Sequence, residues 1–155
     1  MDKSFLVEQL RQHLQTSARV AVKATEGAVV GVKTAAGTDN RLRSANLARA
    51  QAVRAERSYH ETAVLDSFRP KPLPPGSRIA LGAIVEVEDG SQGRTFFLAP
   101  VGAGTELTGP GGDGFLSVVT PQSPIGRAVM GKREGDEIEV DLQGDAHEWV
   151  ISFVG

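Results

Sequence analysis

The spacing of apolar residues changes once along this 155-residue chain, and the change falls across a proline-rich stretch. Before RPKPLPPG, residues 69–76, small and apolar residues recur in alternating steps of three and four; after it they recur every second residue. Steps averaging 3.5 bury one stripe of a helix, whereas steps of two bury one face of a strand. The two stretches therefore cannot form the same kind of element. Four Pro in those eight residues cannot continue a helix and make a stiff linker. The chain is read as two units, residues 1–72 helical and residues 73–155 built on strands.

In the first unit, residues 3–36 read as one long helix. Val7, Leu10, Leu14, Ser17, Ala21, Ala24, Ala28, Gly31 and Ala35 fall on one coiled-coil seam. At a rise of about 1.5 Å per residue this is a rod of roughly 50 Å. Its distal part, ATEGAVVGVKTAAG, is a poor helix by propensity, because Gly27 and Gly31 each cost roughly 1 kcal/mol relative to Ala. Gly37-Thr38-Asp39-Asn40 breaks the helix and starts another. Ala45, Ala48, Ala52, Ala55 and Tyr59 repeat the spacing within residues 44–68, which predicts an antiparallel helical hairpin with a short turn at its tip.

The second unit alternates. Residues 79–88, 93–101, 114–119, 137–142 and 147–154 are strand candidates, separated mostly by Gly-rich turns. Between the third and fourth lies SPIGRAVMGKREGD. Ser123 is a suitable N-cap with Pro124 at the first helical position, and Ile125, Ala128 and Val129 give one apolar face to a single short helix. Gly131 follows, where a left-handed helix stop wants glycine.

Composition removes several classes of function. With no Cys there is no disulfide and no thiolate metal site, and the chain suits a reducing compartment. No long apolar run spans a membrane, and the charges in MDKSFLVEQLRQHL do not suit an export signal, so a cytoplasmic protein is expected. His13, His60 and His147 are scattered without metal-ligand spacing, and no nucleophile elbow or phosphate loop appears. The loop GPGGDG has glycines but no following Lys and reads as a hairpin loop. Charge is split: residues 1–78 hold 13 Lys/Arg against 7 Asp/Glu, and residues 79–155 hold 4 against 12. Such halves meet different surfaces.

The run from Ser123 to Val140 resembles the C-terminal signature of the Gre transcript-cleavage factors of bacterial RNA polymerase. There it reads SPIARALLGKxxGDxVxV, and this chain keeps Ser123, Pro124, Ile125, Arg127, Ala128, Gly131, Lys132, Gly135 and Asp136. LPPGSRIALGAIVEVED, residues 73–89, extends the resemblance more weakly. The resemblance implies an α+β fold, an N-terminal antiparallel coiled-coil hairpin on a C-terminal FKBP-like antiparallel sheet with one short helix. Phe96, Phe97, Phe115, Trp149 and Phe153 are read as core, which argues against a prolyl isomerase pocket.

The resemblance further implies a monomeric, non-enzymatic regulator that binds RNA polymerase core, places its tip in the secondary channel and touches nascent RNA indirectly. Ser123, Pro124 and Ile125 would then meet the channel rim, and Arg49, Arg54 and Arg57 would face RNA. Active Gre tips carry an Asp and, three residues later, a Glu that help to hold a polymerase Mg²⁺. The tip here is Asp39, Asn40, Arg41, Leu42 and Arg43. Asp39 keeps the first place as a possible shared Mg ligand and N-cap, Leu42 stands where the Glu would be, and no cofactor of the chain's own is expected. Weak or absent cleavage stimulation follows. A Gre-fold adaptor that does not bind polymerase is the alternative.

Overall fold

A computed structural model describes residues 3–34, 38–109, 114–141 and 146–155, without the side chains of residues 21, 22, 24–34, 38–40 and 146. The GPGGDG residues 110–113 lie outside it. The elements are α1 (Ser4–Thr34), α2 (Thr38–Asp66), β1 (Ile84–Glu88), β2 (Gly93–Leu98), β3 (Glu106–Thr108), β4 (Phe115–Val119), α3 (Pro124–Val129), β5 (Glu137–Asp141) and β6 (Ala146–Val154). They form two compact units, one of Met1–Leu10 with Ser67–Gly155 and the other of Arg11–Asp66. The expected boundary at residues 72 and 73 falls inside the first.

Residues 11–66 form an antiparallel helix pair. Arg11 of α1 meets Asp66 of α2 at 3.0 Å. Further along α1, Thr16, Ser17 and Val20 line a groove with Gln51, Arg54, Arg57 and Ser58 of α2, so the two numberings run in opposite senses. The buried stripe of α1 differs from the expected seam. Leu14 and Ala18 are buried while Ser17 is exposed, and with Leu6 and Leu10 they form a row in steps of four. That is the i±4 ridge of an ordinary α-helix rather than a 3.5-residue seam. In α2, Ala55 is buried and Tyr59 is 57% exposed; half-buried Ser58 and Thr62 carry the stripe on to buried Leu65. Thr62 Oγ1 donates to the Ser58 carbonyl at 2.8 Å. The distal seam positions Ala21, Ala24, Ala28, Gly31 and Ala35 lie outside the described side chains.

The other unit is built on a six-stranded mixed sheet, ordered β3-β4-β2-β1-β6-β5. Two features depart from the expected five antiparallel strands. β3 is three residues long, too short for a period to show, and it pairs antiparallel with β4. β4 is thereby inserted between β3 and β2 and runs parallel to β2, with Phe97 opposite Val118. The β1–β2 hairpin is fixed by its turn. Asp89 accepts the N–H groups of Ser91 and Gln92, each at 2.9 Å, and these bonds hold its carboxyl at about 2. β1 begins at Ile84 rather than 79, because Gly82 takes a positive φ of 94° and turns the chain. One face of the sheet packs with α3 around Trp149, Ile151, Val85, Val87, Leu98 and Ile125. Phe96, Phe97 and Trp149 are core as expected, but Phe115 is 76% exposed and Phe153 38%.

Residues 3–10 belong with the sheet for an electrostatic reason. Lys3 is only 1% exposed, and its ammonium donates to the main-chain oxygens of Gly82 and Gly155 at 2.7 Å and of Lys71 at 3.1 Å. Three donors meet three acceptors from distant parts of the chain. Burial lowers the Lys3 pKa from its ordinary 10.5, so the folded chain holds this proton less tightly than the unfolded chain. Stability accordingly rises as pH climbs through the window between the lowered value and 10.5. Leu10 closes over Gly102, where an added Cβ would sit 2.6 Å from Leu10 Cδ1.

Replacing Lys3 with Met keeps the aliphatic stem but leaves the Gly82 and Lys71 oxygens without this donor; Gly155 retains the Ile84 N–H. The bond to Gly82 is buried and that to Lys71 part-buried, and a buried acceptor left unsatisfied costs roughly 1–3 kcal/mol. We expect Lys3→Met to lower unfolding stability by about 2 kcal/mol or more in urea denaturation, whereas a shift under about 0.5 kcal/mol contradicts the clamp.

Candidate functional site

Two places carry the residues singled out in the sequence, the turn into α3 and the α2 end of the helical hairpin. In the first, the chain leaves β4 and reverses through Thr120–Ser123. Ser123 Oγ donates to the Thr120 carbonyl at 2.7 Å and accepts the N–H groups of Thr120 and Gly126, each at 3.2 Å. One hydroxyl therefore closes the turn and caps the helix. Gly126 is fixed by close approach: an added Cβ would stand 1.8 Å from the Thr120 carbonyl oxygen. The resembling family run has Ala there. Sequence reading passed over Gly126, because nothing local marks the carbonyl it lies against.

The helix ends as its residues require. Met130 N–H donates to the Gly126 carbonyl at 3.0 Å, and Gly131 follows at a φ of 77°. Gly131 and Lys132 then exchange backbone hydrogen bonds with Ile79, at 2.9 and 2.7 Å, tying α3 to the start of the domain. Within the expected triplet the three side chains face differently. The Ser123 hydroxyl is used inside the turn, Ile125 is 5% exposed within the core, and Pro124 is the exposed member. Gln122 before α3, Arg127 within it and Met130, Lys132 and Arg133 after it are also exposed. The segment presents an exposed proline together with exposed basic and polar side chains. It has the chemistry of a small protein contact rather than of a catalytic cleft.

At the hairpin, α2 starts at Thr38, which places Arg41, Leu42 and Arg43 within its first two turns. The side chains of Asp39 and Asn40 lie outside the described residues, so neither the cap nor the metal-ligand reading of Asp39 is addressed. Leu42 is 58% exposed between two exposed arginines. Arg49, Arg54 and Arg57 are also exposed. Arg49 stands apart, while Arg54 and Arg57 share one groove of about 350 Å³. The structure therefore brings two of the three expected RNA-facing arginines together. Among the described residues, no three His, Asp or Glu side chains converge in a manner suited to a metal ion.

Comparison with known proteins places these features. The profile described as "Transcription elongation factor, GreA/GreB, C-term" matches residues 74–154, which contain the whole of the α3 turn. The transcription elongation factor GreA of Methylococcus capsulatus is 36% identical over 83 residues, covering 53% of this chain and 48% of the relative. GreA of Nitratidesulfovibrio vulgaris is 35% identical over 82 residues, covering 50% and 45%. The chain thus spans about half the length of the curated relatives it matches. Among solved structures, Gfh1 of Thermus thermophilus is similar at 19% identity with a TM-score of 0.43, covering 96% of this chain and 94% of that one. Gfh1 of Thermus aquaticus is similar at 20% identity with a TM-score of 0.40, covering 95% and 92%.

The turn geometry gives a direct test. Ser123→Ala removes the cap and leaves Thr120 N–H unpaired, which we expect to cost about 1–2 kcal/mol. Gly126→Ala must displace α3 from a main-chain carbonyl and should cost about 2–4 kcal/mol. Thermal unfolding of both variants reads this order, and a neutral Gly126→Ala would contradict the close approach.

Proposed function

The chain belongs to the GreA/GreB family of transcription elongation factors, matched over residues 74–154, and from that premise we propose that it regulates elongation by binding RNA polymerase core. In this reading the helical hairpin enters the secondary channel, and the exposed surface around Pro124 rests on the channel rim. The observation that carries the proposal is the α3 turn itself. It lies inside the family match, and it presents Pro124 while its neighbours Ser123 and Ile125 hold the turn from within.

The tip chemistry supports occupancy of the channel rather than activation of hydrolysis. A carboxylate pair on a hard cation supplies oxygen ligands and negative charge. Leu42 supplies neither, and Arg41 and Arg43 beside it repel a divalent ion. Any hydrolysis belongs to the polymerase site, and this chain acts on it as a binding partner without a cofactor of its own. The same guanidiniums suit acidic channel walls and RNA phosphates, and give an attraction that weakens with salt. Arg49, Arg54 and Arg57 extend that basic surface away from the tip. A monomer acting in the cytoplasm completes the proposal.

Binding to purified polymerase core tests it. Pro124 is exposed at the first position of α3, so Pro124→Glu leaves the fold intact and suits the helix N-terminus. We expect it to weaken binding about tenfold, near 1.4 kcal/mol, by desolvating a charge in a small apolar contact. Unchanged affinity moves the contact elsewhere on the chain. If the unmodified chain does not bind core polymerase at all, the adaptor reading replaces this one.

A further inference from the structure

The groove between α1 and α2 has no part in the rim contact, and its lining is unusual for the side of a two-helix rod. Arg54 and Arg57 stand one helical turn apart on α2 and line the groove with Ser58 of α2 and with Thr16, Ser17 and Val20 of α1. Gln51 adds an amide one turn earlier. Residues three apart on a helix have Cβ atoms about 5–6 Å from each other, so both guanidiniums can reach one ligand. Among the described residues neither Arg54 nor Arg57 forms an ion pair. Glu56 lies on another side of α2 by helical spacing, and Glu61 is one turn beyond Arg57. The groove is an open surface depression of about 350 Å³, walled by exposed or half-buried side chains.

We propose that this groove is a binding site for a small molecule carrying two adjacent phosphoryl groups. Each guanidinium offers a planar fork of donors that matches a phosphoryl group, and the hydroxyls donate to the remaining oxygens. Two arginines one turn apart suit two linked phosphoryl centres better than one. The ligand is a small molecule because only Arg54 and Arg57 of the α2 arginines line this groove, and Arg41, Arg43 and Arg49 lie outside its lining. The site needs no polymerase, so the inference stands or falls apart from the elongation reading.

The test is an NMR titration of the full-length protein alone with inorganic pyrophosphate, inorganic phosphate and a short single-stranded RNA at constant ionic strength. We expect saturable shifts of residues 16, 17, 51, 54, 57 and 58 with pyrophosphate, and affinity at least tenfold weaker for phosphate. Arg54→Gln with Arg57→Gln should weaken pyrophosphate about tenfold or more while leaving the spectrum of the sheet unit unchanged. Leu42→Ala should have no effect on it. Non-saturating shifts with pyrophosphate overturn the proposal. So does affinity that appears only with RNA and is lost equally on replacing Arg49, because the groove would then be one part of a polymer track.

Discussion

A buried ammonium decides which residues belong to the sheet unit. Lys3 carries its charge into the interior and spends all three donors on main-chain oxygens from residues 71, 82 and 155. A buried charge is tolerated only where such bonds replace its hydration. The three acceptors come from the proline-rich segment, the turn before β1 and the residue after β6, so one side chain gathers the edges of the unit. Leu6 and Leu10, both fully buried, follow it on α1. The helix that begins among these contacts runs without a break into the hairpin, so the first turns of α1 are sheet-unit residues and the remainder is hairpin.

This arrangement explains what the sequence disclosed and what it hid. Signals confined to a few neighbouring residues were legible. Ser123-Pro124 announced a capped helix, Gly131 its left-handed stop, and alternation announced a strand in residues 79–88, which begins at Ile84, and one with a wet face in residues 137–142. Signals that depend on distant partners were not. Lys3 sits in an ordinary polar N-terminal run, and nothing near it names acceptors as far away as Gly155. Gly126 looks like a neutral exchange for Ala until the Thr120 carbonyl is seen against it. The parallel pairing of β4 with β2 is set by insertion of one strand beside another, which no local period encodes. On α1 the choice between Ser17 and Ala18 turned on whether the helix packs by a heptad seam or by its own i±4 ridge, and the letters fit either.

The candidate surfaces divide along the same line. At the α3 turn, Ile125 contributes to the core and Ser123 to the turn, which leaves Pro124 as the exposed point. The match to the family's sequence there reflects a demand for a rigid turn as much as for a contact. At the hairpin, Arg41, Arg43, Arg49, Arg54 and Arg57 of α2 are exposed, and in the proposed reading Asp39 and Leu42 stand where an active tip has its carboxylate pair. A charged ligand lost from an active site removes a few kcal/mol of transition-state stabilisation, roughly two to three orders of magnitude in rate. In the proposed reading, attraction to an acidic channel depends on arginines and survives that loss. Under the proposed function, binding and stimulation of cleavage are separable in this chain.

Transcript cleavage in backtracked polymerase complexes tests that separation most directly, measured with this protein alone and in competition with a cleavage-active GreA. The account predicts no stimulation above the polymerase's own rate, and a slowing of GreA-stimulated cleavage as this protein is added. Robust cleavage by the unmodified chain, abolished by Asp39→Ala, would contradict it and show that a single carboxylate at this tip suffices.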